Sequence, residues 1–167
     1  MKSDTNAPSG GETAASLSNI YRSLMKSPAA QAAVREAQSR LETDGELSAA
    51  DRELIALCVA SVNACPYCST AHERLAEAAG VAREDVAATL SGGRPSEPRA
   101  RLVVDAARRI LERAGGLGPA DKADLAAAGL GEGALVEIIG LIGLYTTATY
   151  AANLDRTPLD PEFRKPG

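Results

Sequence analysis

The sequence predicts an all-α domain, and three observations carry that prediction. No run of the chain shows the strict apolar–polar alternation of a half-buried strand, whereas apolar residues recur at helical spacing in segment after segment. Proline or a capping residue opens most of these segments and glycine closes several of them, which is the end-asymmetry of helices. Aromatic residues make up only 3% of the chain, with no Trp and one Phe, so the core falls to Leu, Ile, Val and Ala, which suit closely packed helices.

With 167 residues the chain fits one domain that can bury a sizeable core. Residues 1–13, MKSDTNAPSGGET, have no apolar run and several turn formers, so they read as a disordered leader and not as a secretory signal. The helical domain is expected over residues 14–162, followed by a tail at 163–167. Its first helix covers about residues 14–25, with Leu17, Ile20, Tyr21 and Leu24 on one face. Ser27 as N-cap and Pro28 at the first helical position start a second helix that runs to about residue 41. After the turn TDGE, Ser48 with Asp51 three residues on makes a capping-box-like start for a third, residues 49–63. A fourth, residues 66–79, stops at Gly80, and a short fifth, REDVAATL, ends at the loop SGGRPSEP. Residues 98–114 form a sixth, closed by Gly115 and Gly116, and two more, at 119–128 and 132–154, precede a Pro-containing tail. The expected architecture is a bundle of seven to eight helices.

Two internal echoes stand out. AAGVAREDV (78–86) resembles AAGLGEGAL (127–135), and RELIALCVA and VEIIGLIGL set Glu53 and Glu137 before comparable apolar runs. Repeated helix-cap punctuation accounts for both most simply. The formal net charge of −4 and the lack of a basic stripe argue against a nucleic-acid binder. The apolar stretch at residues 134–152 is long enough to be weighed as a membrane span. Glu137 within it, the Thr- and Tyr-rich second half and the lack of flanking basic clusters favour a helix buried in the protein or at a subunit contact. With no export signal in view, the cysteines are expected to meet a reducing cytoplasm.

The chemistry concentrates in CPYCSTAH, residues 65–72, which holds two of the three cysteines and the only histidine. Pro66 is favoured at the first position of a helix, which sets Cys65 at the N-cap and Cys68 in the first turn. Free backbone N–H groups and the helix dipole there stabilise thiolate over thiol, so at least one cysteine should be more acidic than a free thiol. Cys65 and Cys68 are three apart and Cys68 and His72 four apart, so all three share one helix face. If the third and fourth helices turn back on each other at Asn63 and Ala64, Glu53 lies about 15 Å back along one axis and His72 about 10 Å down the other. A glutamate can span the remainder directly or through a water. The order Glu53, His72, Cys68 is that of an activated nucleophile, with a base beside the thiol and a carboxylate orienting the base.

Other uses fit these residues less well. Two Cys, one His and Glu53 can in principle bind zinc, but no second C-x-x-C completes a structural site. Covalent haem attachment fails on Ser69, which stands where the histidine is required, and a thioredoxin fold fails for want of a βαβ pattern. Cys58, between Leu57 and Val59, reads as a core residue. Tyr67 and Tyr145 are candidates for a pocket lining, with packing as the simpler role.

The segment RELIALCVASVNACPYCSTAH resembles the signature of the alkylhydroperoxidase-D-like proteins of the carboxymuconolactone-decarboxylase-like superfamily. The shared pattern is a helical Glu, a C-x-x-C beginning twelve residues on, and a His four residues after the second Cys, here Glu53, Cys65, Cys68 and His72. The likeness extends more loosely over residues 41–162, including the tail PLDPE. Tyr67 is a departure, since some members carry a second histidine there. The resemblance implies a homo-oligomer, a trimer or hexamer, with thiol-dependent peroxidase or disulfide-reducing activity and no cofactor or metal. It implies Cys68 as the peroxide-attacking cysteine, Cys65 as the resolving one, and His72 relaying the proton with help from Glu53. Its partners would be a hydroperoxide or disulfide substrate and a dithiol donor such as a lipoyl domain or thioredoxin-like protein. The rival expectations are a redox-sensing or partner-binding protein whose disulfide is a switch, and a decarboxylase or ring-lactone enzyme of the same superfamily, whose members generally lack the dithiol.

Overall fold

A computed structural model describes residues 18–164. Among these residues the protein is all-helical, with eight α-helices, a closing 3-10 turn and no strand. The helices are α1 (Asn19–Leu24), α2 (Pro28–Thr43), α3 (Ala49–Val62), α4 (Pro66–Ala78), α5 (Arg83–Leu90), α6 (Pro98–Glu112), α7 (Pro119–Ala127) and α8 (Glu132–Asp155). The expected leader and residues 14–17 of the expected first helix lie outside the described residues, and so do the last three residues of the tail.

The starts follow the capping chemistry of the sequence. Ser27 Oγ accepts the N–H of Ala30, and Ser48 and Asp51 form a reciprocal capping box, with bonds of 3.1 and 3.2 Å. Asp51 is also buried against the guanidinium of Arg99, which donates to its carboxylate at 2.9 Å and ties the start of α3 to α6. Both segments of the first echo end alike: Gly80 and Gly129 have φ of +91° and +100°, and Val81 and Leu130 donate back to Ala76 and Leu125. That is a Schellman close, and it explains the repeat as shared punctuation.

α3 is the central helix. Every residue from Leu54 to Ala60 is at most 2% exposed, because α4, α5, α6 and α8 pack around it. α8 is long and apolar enough to cross a membrane by length and composition. In the bundle it buries Leu135, Ile138, Leu141 and Leu144 against the other helices and leaves Val136, Ile139, Tyr150 and Leu154 exposed. Glu137 within it accepts the backbone N–H groups of Glu46 and Leu47 at 2.8 and 3.2 Å, closing the turn between α2 and α3. The second echo therefore places two glutamates in similar sequence and different work: Glu137 caps backbone, while Glu53 faces a side chain.

Candidate active site

The α3–α4 connection is three residues, Asn63, Ala64 and Cys65, and it is held from both sides. Cys65 N–H donates to Ala60 O at 3.0 Å, which requires Ala64 to adopt the left-handed region at φ +46°. Asn63 Nδ2 donates to Thr149 Oγ1 at 2.9 Å, and Asn153 Nδ2 donates to the Asn63 carbonyl at 2.8 Å, so α8 clamps the turn. The position of Cys65 is thus set by three hydrogen bonds before any chemistry is considered.

Cys65 is the N-cap of α4, and its Sγ accepts the N–H of Cys68 at 3.3 Å. Both thiols are buried, at 1% and 3% exposure. A hydrogen bond from the Cys68 side chain, helped by the N–H groups of Cys68 and Tyr67 and by His72, pulls Cys65 down to about 7 in spite of burial. Cys68 moves the other way, because its thiol donates to Cys65, its surroundings are dry, and a charge on Cys65 repels a second one. The pair therefore gives up one proton readily and the second with difficulty. The sequence expectation of an acidic thiol at this helix start is met, and the acidity falls on Cys65.

His72 and Glu53 meet directly. His72 Nδ1 is 2.7 Å from Glu53 Oε2, with both side chains 18% exposed. A carboxylate only accepts, so Nδ1 carries the proton in this contact and Nε2 is the other ring nitrogen. Tyr145 of α8 holds the imidazole edge-on, with centroids 5.1 Å apart and planes at 76°. Burial pushes the Tyr145 hydroxyl above its ordinary value, with Glu53 adding to the effect, so it stays protonated.

Cys68, His72 and Glu53 line one cavity of about 220 Å³. Ile20, Leu24 and Leu144 supply apolar wall, and Glu42, Arg52 and Gln38 supply polar positions. Cys65 and Cys68 share a buried cluster with Ala60, Tyr67 and Ala152, and of the two sulfurs it is Cys68 that lines the cavity. Three of the four residues singled out from the sequence thus line one cavity, and the fourth, Cys65, sits beside Cys68. Among the described residues no group of three or more His, Cys, Asp or Glu is arranged to hold a metal ion. Cys58 stands apart in the main core, where burial pushes its thiol up to about 12.

Sequence reasoning missed the wall formed by α1 and the C-terminal turn, which brings Ile20 and Phe163 to the cavity. It also missed Asp160, whose carboxylate receives the Tyr67 hydroxyl at 2.5 Å. These contacts join residues far apart in the chain, and no local pattern announces them.

A helical domain in which a thiol pair at a helix start adjoins a hydrogen-bonded Glu–His pair is the class that fold and site define. A family model, carboxymuconolactone decarboxylase family, matches residues 27–112, just over half of the chain, and the chain belongs to that family. No curated protein matches it. Among solved structures it is similar to an alkylhydroperoxidase AhpD core, an uncharacterized peroxidase-related protein from Ralstonia eutropha JMP134, with TM-score 0.80 and 21% identity over 90% of this chain and 80% of that one. It is also similar to an uncharacterized peroxidase-related protein from Silicibacter sp. TM1040, with TM-score 0.75 and 19% identity over the same shares. The fold is thus AhpD-like.

Proposed function

We propose that the protein is a thiol-dependent peroxidase or disulfide reductase that works through Cys68 and Cys65 with His72 and Glu53. The observation that carries the reading is the sharing of one cavity by the Cys68 thiol and the directly bonded Glu53–His72 pair. The split acidity of the thiols fits distinct roles. Cys68 keeps its proton at rest and needs a base; Cys65 is close to thiolate at neutral pH.

In the proposed cycle Cys68 sulfur attacks the terminal oxygen of a hydroperoxide and the O–O bond breaks. The Cys68 proton passes through His72 Nε2 to the departing alkoxide, giving a sulfenic acid and an alcohol. The Cys65 thiolate then attacks the Cys68 sulfur and expels hydroxide, which becomes water, and the disulfide closes. An external dithiol, such as a lipoyl group or a thioredoxin-like protein, reopens it by two exchange steps. Glu53 stabilises the imidazolium that forms in between and holds the ring through Nδ1, which leaves Nε2 for the transfer. A paired thiol at this site favours such chemistry over the decarboxylation that names the family.

The same reading takes the protein to be a homo-oligomer in a reducing cytoplasm. The outward face of α8 supports the assembly, since Val136 is 67% and Leu154 86% exposed on a helix apolar nearly all round. The test of function is peroxide consumption with a dithiol donor in wild type, Cys68→Ser and Cys65→Ser. Turnover is expected in wild type alone; equal turnover in all three sinks the proposal. A disulfide that forms readily without turnover on any donor would leave the redox-switch reading in its place.

A further inference from the structure

Tyr67, the residue between the two cysteines, is tied at its far end to a segment 93 positions away. Its ring is buried and its hydroxyl donates to Asp160 Oδ2 at 2.5 Å. Asp160 is 2% exposed, and its other oxygen accepts the backbone N–H of Asn19, the first residue of α1, at 2.8 Å. The guanidinium of Arg22 stands 3.9 Å from that same oxygen. The Tyr67 hydroxyl also accepts the N–H of Ile20 at 3.4 Å. Ile20 and Leu159 pack against the cluster that holds both thiols. A buried carboxylate thus holds one end of a stiff side chain whose other end is part of the Cys65–Cys68 turn.

That turn has two states in the thiol cycle. In the reduced state Cys65 Sγ accepts the Cys68 N–H at 3.3 Å, an arrangement that needs the turn as it stands. Closing the disulfide brings the two sulfurs into bonding distance and removes the charge that made Cys65 a good acceptor, so the cap that fixes the turn is weakened and its geometry is set by the bridge instead. Tyr67 is carried by that turn, and its hydroxyl is held by a charge-assisted bond in a site sheltered from water, so any adjustment of the turn works against that bond.

We infer that Asp160 is a positioning residue for the thiol pair: by holding the Tyr67 hydroxyl it favours the reduced, capped turn over the disulfide and makes the couple more oxidising. The inference rests on the thiol reading above. It gives the C-terminal turn a task besides walling the cavity, and it assigns Tyr67 a part that its place between the cysteines does not reveal.

The test equilibrates the full-length protein with glutathione buffers. One protein dithiol and one oxidised glutathione give the protein disulfide and two reduced glutathiones, and the fraction of Cys65–Cys68 disulfide is read by mass spectrometry after acid quench. Tyr67→Phe removes only the hydroxyl and is expected to raise the equilibrium constant for disulfide formation about tenfold, ~30 mV toward more negative potential. Asp160→Asn is expected to move it in the same direction, and the double variant no further than the larger single change, because both cut one link. A wild-type potential in folded Tyr67→Phe overturns the inference, and so do fully additive shifts in the double variant. Should Asp160→Asn fail to fold, Tyr67→Phe alone decides. Absence of any disulfide in the wild-type protein is a separate result, since it removes the thiol reading itself.

Discussion

Cys58 and Cys65 lie seven residues apart, at 2% and 1% exposure, and their thiols move in opposite directions, one up to about 12 and the other down to about 7. Burial dominates at Cys58 and outweighs the pull of the nearby Arg108: taking a thiolate out of water is costly, and the amides around it in mid-α3 already bond within the helix. Cys65 is as little exposed one helix later, but there the Cys68 thiol donates to it, at the point where backbone N–H groups also have no partner inside the helix. The contrast shows that low exposure does not by itself decide reactivity here: the donors that a thiol meets do, first the Cys68 thiol and then the free N–H groups of the helix start. A buried cysteine becomes an acid where a neighbouring thiol and spare backbone amides donate to it.

The largest effect that can break this comparison is in the titration itself. The ultraviolet absorbance of the thiolate in the reduced protein should show one group ionising with a midpoint of about 7, five pH units below Cys58. Cys65→Ser should remove that step and Cys58→Ala should leave it in place. A first thiolate appearing only above pH 9 would mean that the helix start does not do what is claimed for it.

Next in size is the base. His72→Gln should cut peroxide turnover by ~10²-fold or more, the usual scale for a positioned proton carrier. Glu53→Gln keeps a hydrogen-bonding group at 2.7 Å from the imidazole but no charge to stabilise its protonated form, so a smaller loss is expected. The first thiol titration should survive in Glu53→Gln, which separates acidity from proton relay.

Stability against pH offers a finer test, with opposite signs for the two thiols. Cys65 is depressed from about 9 to about 7, so its contribution is present above pH 9 and is lost as pH falls through 7. Cys58 is raised, so its contribution is complete below about 9 and is lost as pH rises toward 12. The stability advantage of reduced wild type over Cys65→Ser should therefore grow from pH 7 to 9, and that over Cys58→Ala should shrink above 9. At neutral pH Cys58→Ala itself should cost ~1 kcal/mol in denaturant unfolding, the scale of a small core deletion.

Much of this was legible in the chain because it is local. Pro66, Ser48 with Asp51, and Gly80 set helix ends that the structure reproduces to within a residue or two. The Glu53–His72 pairing was legible too, since a tight helical hairpin turns sequence distance into depth by simple helix geometry. What remained hidden depends on the return of distant segments. Tyr145 reaches His72 from α8, and Asp160 reaches Tyr67 across the whole domain. Glu137 has nearly the same flanks as Glu53, yet its partners are two backbone amides in a loop, which no flanking pattern encodes. The division of acidity between Cys65 and Cys68 was also beyond reach, because it turns on which sulfur accepts the Cys68 N–H.

The smallest predicted effect concerns the residue that delivers Cys65 to its place. Ala64 sits at φ +46°, a region that costs an L-residue ~1–2 kcal/mol and costs glycine nothing comparable. Glycine gives back part of the gain through its looser unfolded chain, ~0.5–1 kcal/mol, so Ala64→Gly should stabilise the protein by about 0.5 kcal/mol net. The side chain is exposed, so no packing is lost. Because Asn63 and Asn153 clamp the turn to α8 independently of residue 64, the first thiol midpoint should stay at about 7. A more stable protein with an unmoved midpoint would show that the strain at Ala64 is a by-product of the tight hairpin. A midpoint that climbs toward that of a free thiol would show instead that a rigid approach to the helix start is part of what makes Cys65 unlike Cys58.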